Sequence, residues 1–229
     1  MSSIILPTVR FPSQTPSIHT ARLLLREFRG SDLPAIYKLR TVHDVMQWTS
    51  KGTIDRSEDE SEQWLQQFIY EDDQTERKNY NFVVLKRPTH AASTSSEPVS
   101  QVGLAAQEGV EGTFIGVLGI HRFDPLGLPE LGYMFLPEAW GSGYATEALR
   151  GFQQAWWGLP LDDTMVFSLS EEEREIRTGS MRAFTTQPNA ASAAVLSKCG
   201  WVVEKEFQDG ETKVVSWILT RHSHYGYSM

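Results

Sequence analysis

Six residues, DPLGLP (124–129), separate the β-rich runs TFIGVLGIHRF (113–123) and ELGYMFL (130–136). A parallel crossover needs a dozen residues or more, so these two strands must pair antiparallel. That one connection excludes an all-parallel, doubly wound sheet.

The elements on either side predict a mixed sheet. TARLLLREFR (20–29) reads as a strand with Leu23 and Leu25 on one face and Leu24 and Arg26 on the other. Ser31 is a candidate N-cap for a helix carrying Leu33, Ile36, Tyr37 and Leu39. DRSEDESEQWLQQFIYEDD (55–73) predicts a second helix, with acids in its first turns and Trp64, Leu65, Phe68 and Ile69 as its apolar stripe. NYNFVVLKR (79–87) is a strand, and residues 88–112, poor in large apolar side chains, form a loop or insertion. After 130–136 comes the helix TEALRGFQQAWWGL (146–159), where Phe152, Trp156 and Trp157 read as core. Val166–Leu169 reads as a strand start or as part of the polar loop SEEEREIRTGS (170–180), whose Glu171–Glu173 run is solvated surface. MRAFTTQ (181–187) is a strand and NAASAAVLSKCG (189–200) a short helix. WVVEKEF (201–207) and KVVSWIL (213–219) form a hairpin about Asp209–Gly210. The order is β-α-α-β-β-β-α-β-α-β-β, a mixed α/β (α+β) chain with a largely antiparallel sheet.

At 229 residues with 40% hydrophobic side chains, one elaborated domain with a real core is expected. Its expected limits are an extended arm over 1–18, which carries Pro7, Pro12 and Pro16, one domain over 19–221 and a tail over 222–229. No apolar run approaches the ~20 residues of a spanning helix, so no membrane is expected as a partner. The first residues have neither a basic n-region nor a small-residue cleavage site, so no signal peptide is expected. The single cysteine, Cys199, fits a reducing, cytoplasmic compartment and reads as a small buried hydrophobe. A formal charge of −8 argues against nucleic acid as a partner and favours a cationic one.

Between the strand at 130–136 and the next helix lies PEAWGSGYATEAL (137–149). A Walker loop would need Lys after Gly143, where Tyr144 stands. A dinucleotide fingerprint would need a third glycine at Thr146 and a βαβ unit in place of two antiparallel strands. A nucleophile elbow needs a different spacing from Gly141-Ser142-Gly143. No metal ligand set is read: HExxH is absent and His222-x-His224 lies in the polar tail. Two readings stand: a helix N-terminus whose free N–H groups bind pyrophosphate, and a turn whose glycines supply unusual φ values.

PEAWGSGYATEAL resembles the acyl-CoA pyrophosphate loop of the GNAT N-acetyltransferases, particularly the branch that acetylates ribosomal-protein N-termini. Trp140-x-x-Gly143-x-Ala145 stands where the superfamily carries Gln/Arg-x-x-Gly-x-Gly/Ala, a form familiar in that branch. ARLLLREFRGSDLPAIYKL, HDVMQWTSKGTIDRSEDESEQWL and Asn189-x-x-Ser192 through Lys198-x-Gly200-Trp201 resemble three further signatures of the branch, in order. The resemblance spans roughly 20–221, apart from the 88–112 insertion and the polar loop.

It implies a GNAT-type fold in which the strands at 130–136 and 181–187 splay apart, and transfer of an acetyl group from acetyl-CoA to an amine without a covalent enzyme intermediate. Cofactor contacts carried over are Tyr133, Met134, Phe135 and Leu136 on the strand, Gly141, Ser142, Gly143, Tyr144, Ala145 and Thr146 in the loop, and Asn189. The Tyr133 N–H is the candidate for the developing oxyanion and Ser192 for the acid toward sulfur. Glu206 and Glu130 are the two candidate bases, while Tyr37 and Trp48 wall the acceptor site. The implied acceptor is a protein N-terminus or a small-molecule amine, and a homodimer is compatible with the pattern. A non-catalytic acyl-CoA-binding regulatory module is the alternative.

Overall fold

Leu23–Leu25 set the two faces of the sheet. Leu23 and Leu25 enter one core with Phe82, Val84, Leu118, Ile120 and Leu131, whereas Leu24 joins Val83, Leu85 and Val117 in a second core on the opposite face. This is the period-2 alternation the sequence predicts. The computed structural model of the protein describes residues 8–70, 80–88, 111–124 and 127–221. Most of the expected insertion and tail, and residues 1–7 of the arm, lie outside them.

Eight strands form one sheet: β1 (Ile18–His19), β2 (Leu23–Arg26), β3 (Tyr80–Lys86), β4 (Thr113–Phe123), β5 (Pro129–Phe135), β6 (Ser180–Thr186), β7 (Val202–Asp209) and β8 (Thr212–Thr220). Their order is β1-β2-β3-β4-β5-β6-β8-β7. Every neighbouring pair is antiparallel except β5–β6, which is parallel. That pair is joined only at Glu130↔Arg182 and Leu131↔Ala183, so the two strands part beyond Leu131. The expected mixed sheet and its splay are both present.

Helices α1 (Leu33–Arg40), α2 (His43–Met46) and α3 (Glu58–Leu65) pack Ile36, Leu39, Val45 and Leu65 onto the Leu24 face. Helix α4 (Tyr144–Trp157) packs Ala148, Leu149, Phe152 and Trp156 onto the Leu23 face, with Leu196 of α7 (Ala190–Lys198) beside them. Burying a Phe or Leu side chain contributes roughly 1.5–3 kcal/mol each. The aromatic run after the glycine loop therefore anchors α4 as core.

Four local readings are corrected. Residues 171–179 form helix α6 (Glu171–Gly179), where a polar loop was expected: Ser170 caps the Glu173 N–H and Glu173 reaches back to the Ser170 N–H. Val166 lies in the short helix α5 (Asp163–Phe167), capped by Asp162, and in no strand. Ser31 does not cap α1; Asp32 instead accepts the Arg29 N–H (2.8 Å) and a two-pronged bond from Arg26 (2.7 and 2.8 Å). Of the helix expected over 55–73, the described residues are regular over Glu58–Leu65 before a 3₁₀ turn at Gln66–Phe68, and 71–73 lie outside the described residues. The described arm residues are packed down: Val9 bridges Leu161, and the Phe11 ring lies 6.2 Å from that of Trp156.

One buried polar knot holds α1 to α3. Arg40 donates to both oxygens of Asp55 (2.6 and 3.0 Å) and stacks over Trp64 at 4.6 Å, while Lys51 and Ser61 also donate to Asp55 (2.6 Å each). Burial pushes the Asp55 carboxyl up, but the bonds from Arg40, Lys51 and Ser61 outweigh it and hold it below the ordinary carboxylate value. Asp55→Ala is expected to cost about 3–5 kcal/mol in chemical denaturation, because it leaves a buried guanidinium without its carboxylate. Glu138→Ala, which removes an exposed pair with Lys38, is expected to leave the midpoint unchanged. The Asp55 contribution is complete above the ordinary carboxylate range and is lost as pH falls through its lower folded value. The wild-type midpoint should therefore drop in acid more steeply than that of Asp55→Ala.

Candidate functional site

The glycine loop is built by two left-handed residues. Gly141 (φ 68°) and Gly143 (φ 77°) both adopt a conformation that side chains with a Cβ rarely take. Gly143 is the N-cap of α4, and no side chain caps that helix end. The first-turn N–H groups are thus presented at the positive end of a helix dipole. Trp140 closes the loop by donating its indole N–H to the Phe135 carbonyl (2.8 Å), which explains an indole at this position.

Cations stand around this helix end. Arg22 donates to the Ser142 carbonyl (3.0 Å), pairs with Glu147 (2.6 Å) and lies 4.4 Å from the Tyr144 ring; Lys86 lies 5.7 Å from the same ring. An open groove of about 1190 Å³ runs from Gly143 and Thr146 past Arg150 and Lys198 to the arm at Ile18–Thr20. Sequence reasoning missed Arg22 and Arg150, because their strand and helix approach each other only in the folded chain.

Beyond the end of β5–β6 pairing, strand geometry decides which backbone groups are open. Leu136 donates its N–H to Ile115 of the neighbouring strand (2.9 Å). Backbone groups alternate between the two neighbours of a strand, so those of Met134 also face β4, while those of Tyr133 and Phe135 face the gap toward β6. Of the four expected β5 contacts, Tyr133 therefore turns its main-chain groups to the opening and Phe135 its N–H, the Phe135 carbonyl being taken by the Trp140 indole; the main-chain groups of Met134 and Leu136 face β4.

On the α4–α7 face of that gap the structure joins three expected residues. Asn189 caps α7 by accepting the Ser192 N–H (3.1 Å). The Ser192 hydroxyl lies 2.6 Å from the Tyr133 phenol. Burial pushes that phenol up to about 12, against a smaller opposing effect of the Ser192 bond, so it stays protonated at neutral pH. Nearby Cys199 is buried and its thiol is raised by desolvation, as suits the packing role expected of it.

The two candidate bases fall apart from this group. Glu206 is exposed on the edge strand β7, two strands beyond β6, and pairs with Lys213 (2.6 Å). Glu130 is 6% exposed and paired with Arg182, one level before the last β5–β6 pair. A bulge in β4 between Ile120 and Arg122 sets both His121 and Arg122 opposite it, with His121 Nε2 at 3.3 Å and Arg122 Nε at 2.9 Å. Burial pushes the Glu130 carboxyl up, yet His121 and Arg122 together hold it below the ordinary value. Tyr37 is half-buried on α1, and Trp48, 39% exposed, follows α2; their helices cover the same sheet face as Met134. Lys38, next to Tyr37, pairs with Glu138 of the turn before the glycine loop (2.7 Å). Among the described residues no three His, Cys, Asp or Glu side chains gather as a metal-holding group, and no helix is long and apolar enough to cross a membrane.

The family model described as acetyltransferase (GNAT) domain matches residues 22–202. No curated protein matches the chain. Among solved structures it is similar to a GNAT-family acetyltransferase from Bacillus anthracis, at 19% identity and a TM-score of 0.57 over 90% of this chain and 98% of that one. It is also similar to the ribosomal-protein alpha-N-acetyltransferase RimL in complex with coenzyme A, at 14% identity and 0.63 over 90% and 98%. The spermidine N-acetyltransferase from Vibrio cholerae, in complex with CoA and spermine, matches at 16% identity and 0.56 over 88% and 97%. At these identities the likeness is one of fold.

Proposed function

The chain belongs to the GNAT acetyltransferases, and from that premise we propose that it transfers an acetyl group from acetyl-CoA directly to a primary amine within a ternary complex. The observation that carries this reading is the opening of β5 from β6 beyond Leu131, with the uncapped start of α4 at the end of the same strand. A thioester arm between the two strands would meet the Tyr133 and Phe135 main chain. Its pyrophosphate would meet the N–H groups of Gly141 through Thr146, neutralised by Arg22.

The chemistry then divides among named groups. The Tyr133 N–H donates to the oxygen of the thioester as it takes on charge. As the C–N bond forms and the C–S bond breaks, the departing sulfur takes a proton from the Ser192 hydroxyl, which the Tyr133 phenol backs at 2.6 Å. Asn189 holds Ser192 in place through the α7 cap. The amine must arrive neutral, and the −8 charge of the chain favours a cationic acceptor from solution. The acceptors named for the neighbours, a ribosomal-protein N-terminus and a polyamine, are both amines.

Thiol release from acetyl-CoA across a panel of small amines and peptides tests the reading. Release with at least one primary amine is expected; tight CoA binding with no release on any acceptor would instead identify a non-catalytic acyl-CoA-binding module. Gly143→Glu should abolish CoA binding in calorimetry while the melting temperature holds to within a few degrees, and unchanged affinity would reduce the loop to a turn. Ser192→Ala should lower kcat about 100-fold with little change in KM for acetyl-CoA, the scale of a lost general acid. Since Tyr133 stays protonated to about pH 12, an alkaline limb below pH 10 should persist in Tyr133→Phe.

A further inference from the structure

Gly132 is the first β5 residue beyond the last β5–β6 pair, so it sits where the sheet opens. It presents no side chain there, and the space is taken from the neighbouring strand. A Cβ built on Gly132 would lie 3.0 Å from His121 Nδ1 and 3.2 Å from its Cε1. The imidazole therefore lies across the Gly132 backbone, on the α1–α3 face, opposite the Tyr133–Ser192 hydroxyls. Strand alternation after Ile120 puts it on that face, and the β4 bulge turns Arg122 there as well, so both stand against Glu130.

Among the described residues the ring has a charged partner at one nitrogen only. Nε2 faces the Glu130 carboxylate at 3.3 Å, and Arg122 holds that carboxylate from its other oxygen. A carboxylate accepts, so Nε2 carries the hydrogen and Nδ1 keeps its lone pair. Among the described residues no hydrogen bond is made to Nδ1, and the side chain is 39% exposed.

We infer that His121 is the proton acceptor for the incoming ammonium, with Glu130 as its positioning residue; this rests on the acetyl-transfer reading above and assigns its missing base. The ammonium gives one proton to Nδ1, leaving a nitrogen lone pair free to attack, and the imidazolium is stabilised by Glu130 until it passes the proton to solvent. The nitrogen's second proton passes to solvent once the C–N bond has formed, and Ser192, having given its proton to sulfur, takes one back from solvent. The other charges near the ring are already paired: Arg122 with Glu130, and Arg182 of β6 with Asp124 and Glu204. Asn81 of β3, beside Gly119, donates to the Ile120 carbonyl and is neutral.

The experiment compares wild type, His121→Gln and Glu130→Gln, each first checked for CoA affinity and melting temperature. In the pH profile of kcat/KM for the best amine, His121→Gln should fall about 100-fold at neutral pH. Its acid limb should move up to the ionisation of the amine itself. Glu130→Gln should lower kcat/KM for the amine with the KM for acetyl-CoA unchanged, as the ring loses the carboxylate that faces Nε2. Independently of turnover, the His121 ring resonance in the CoA complex should move on saturation with the amine. A His121→Gln variant with the wild-type profile, or an unmoved His121 resonance, overturns the assignment while leaving acetyl transfer standing. A wild type that binds both ligands yet releases no thiol overturns acetyl transfer, and the base falls with it.

Discussion

The two-residue parallel contact between β5 and β6 is the constraint on which the rest of the molecule depends. A parallel neighbour cannot be reached by a tight turn, so the chain between Phe135 and Ser180 must cross over the sheet. It does so through α4, which buries its Phe152 and Trp156 on the way. Because the contact ends at Leu131↔Ala183, the main-chain groups of Tyr133 and the N–H of Phe135 are left turned toward a gap. Buried backbone polar groups need partners, and an extended ligand laid between the strands would supply them.

The gap has two chemically distinct lips. On the α4–α7 side stand two hydroxyls, Ser192 and Tyr133, the latter held protonated by burial. On the other side stand His121, Glu130 and Arg122, a charged set held in register by one bulge. In the proposed reaction sulfur needs a proton and nitrogen must lose one, and the sheet lies between the groups suited to each. Period-2 alternation along β5 makes this division: Tyr133 projects to one face, and Glu130 to the other.

Much of this was legible in advance. The short DPLGLP connection, the Leu23–Leu25 alternation and the aromatic stripe of α4 are local signals, and the structure contains what each predicts. The Asn189-x-x-Ser192 spacing was readable as a helix start, and it is one. The polar 170–180 stretch lacks an apolar stripe, and its helix rests on the Ser170–Glu173 capping box. Glu206, one of the two candidate bases, pairs with Lys213 on the edge strand, two strands beyond β6. No periodicity marks His121 as the partner of Glu130: its place after Ile120 in the alternation gives it that face, and the bulge turns Arg122 to the same face.

By itself the sequence determined the antiparallel core of the sheet, the core faces of the strands and helices, and the glycine turn that leads into α4. These follow from turn length, side-chain period and backbone sterics, all of which act over a few residues. Only the tertiary structure decided that Tyr133 meets Ser192, that Trp140 closes its own loop onto Phe135, and that His121 fills the place Gly132 leaves empty. Those are matters of strand register, where a shift of one residue would send each side chain to the opposite face.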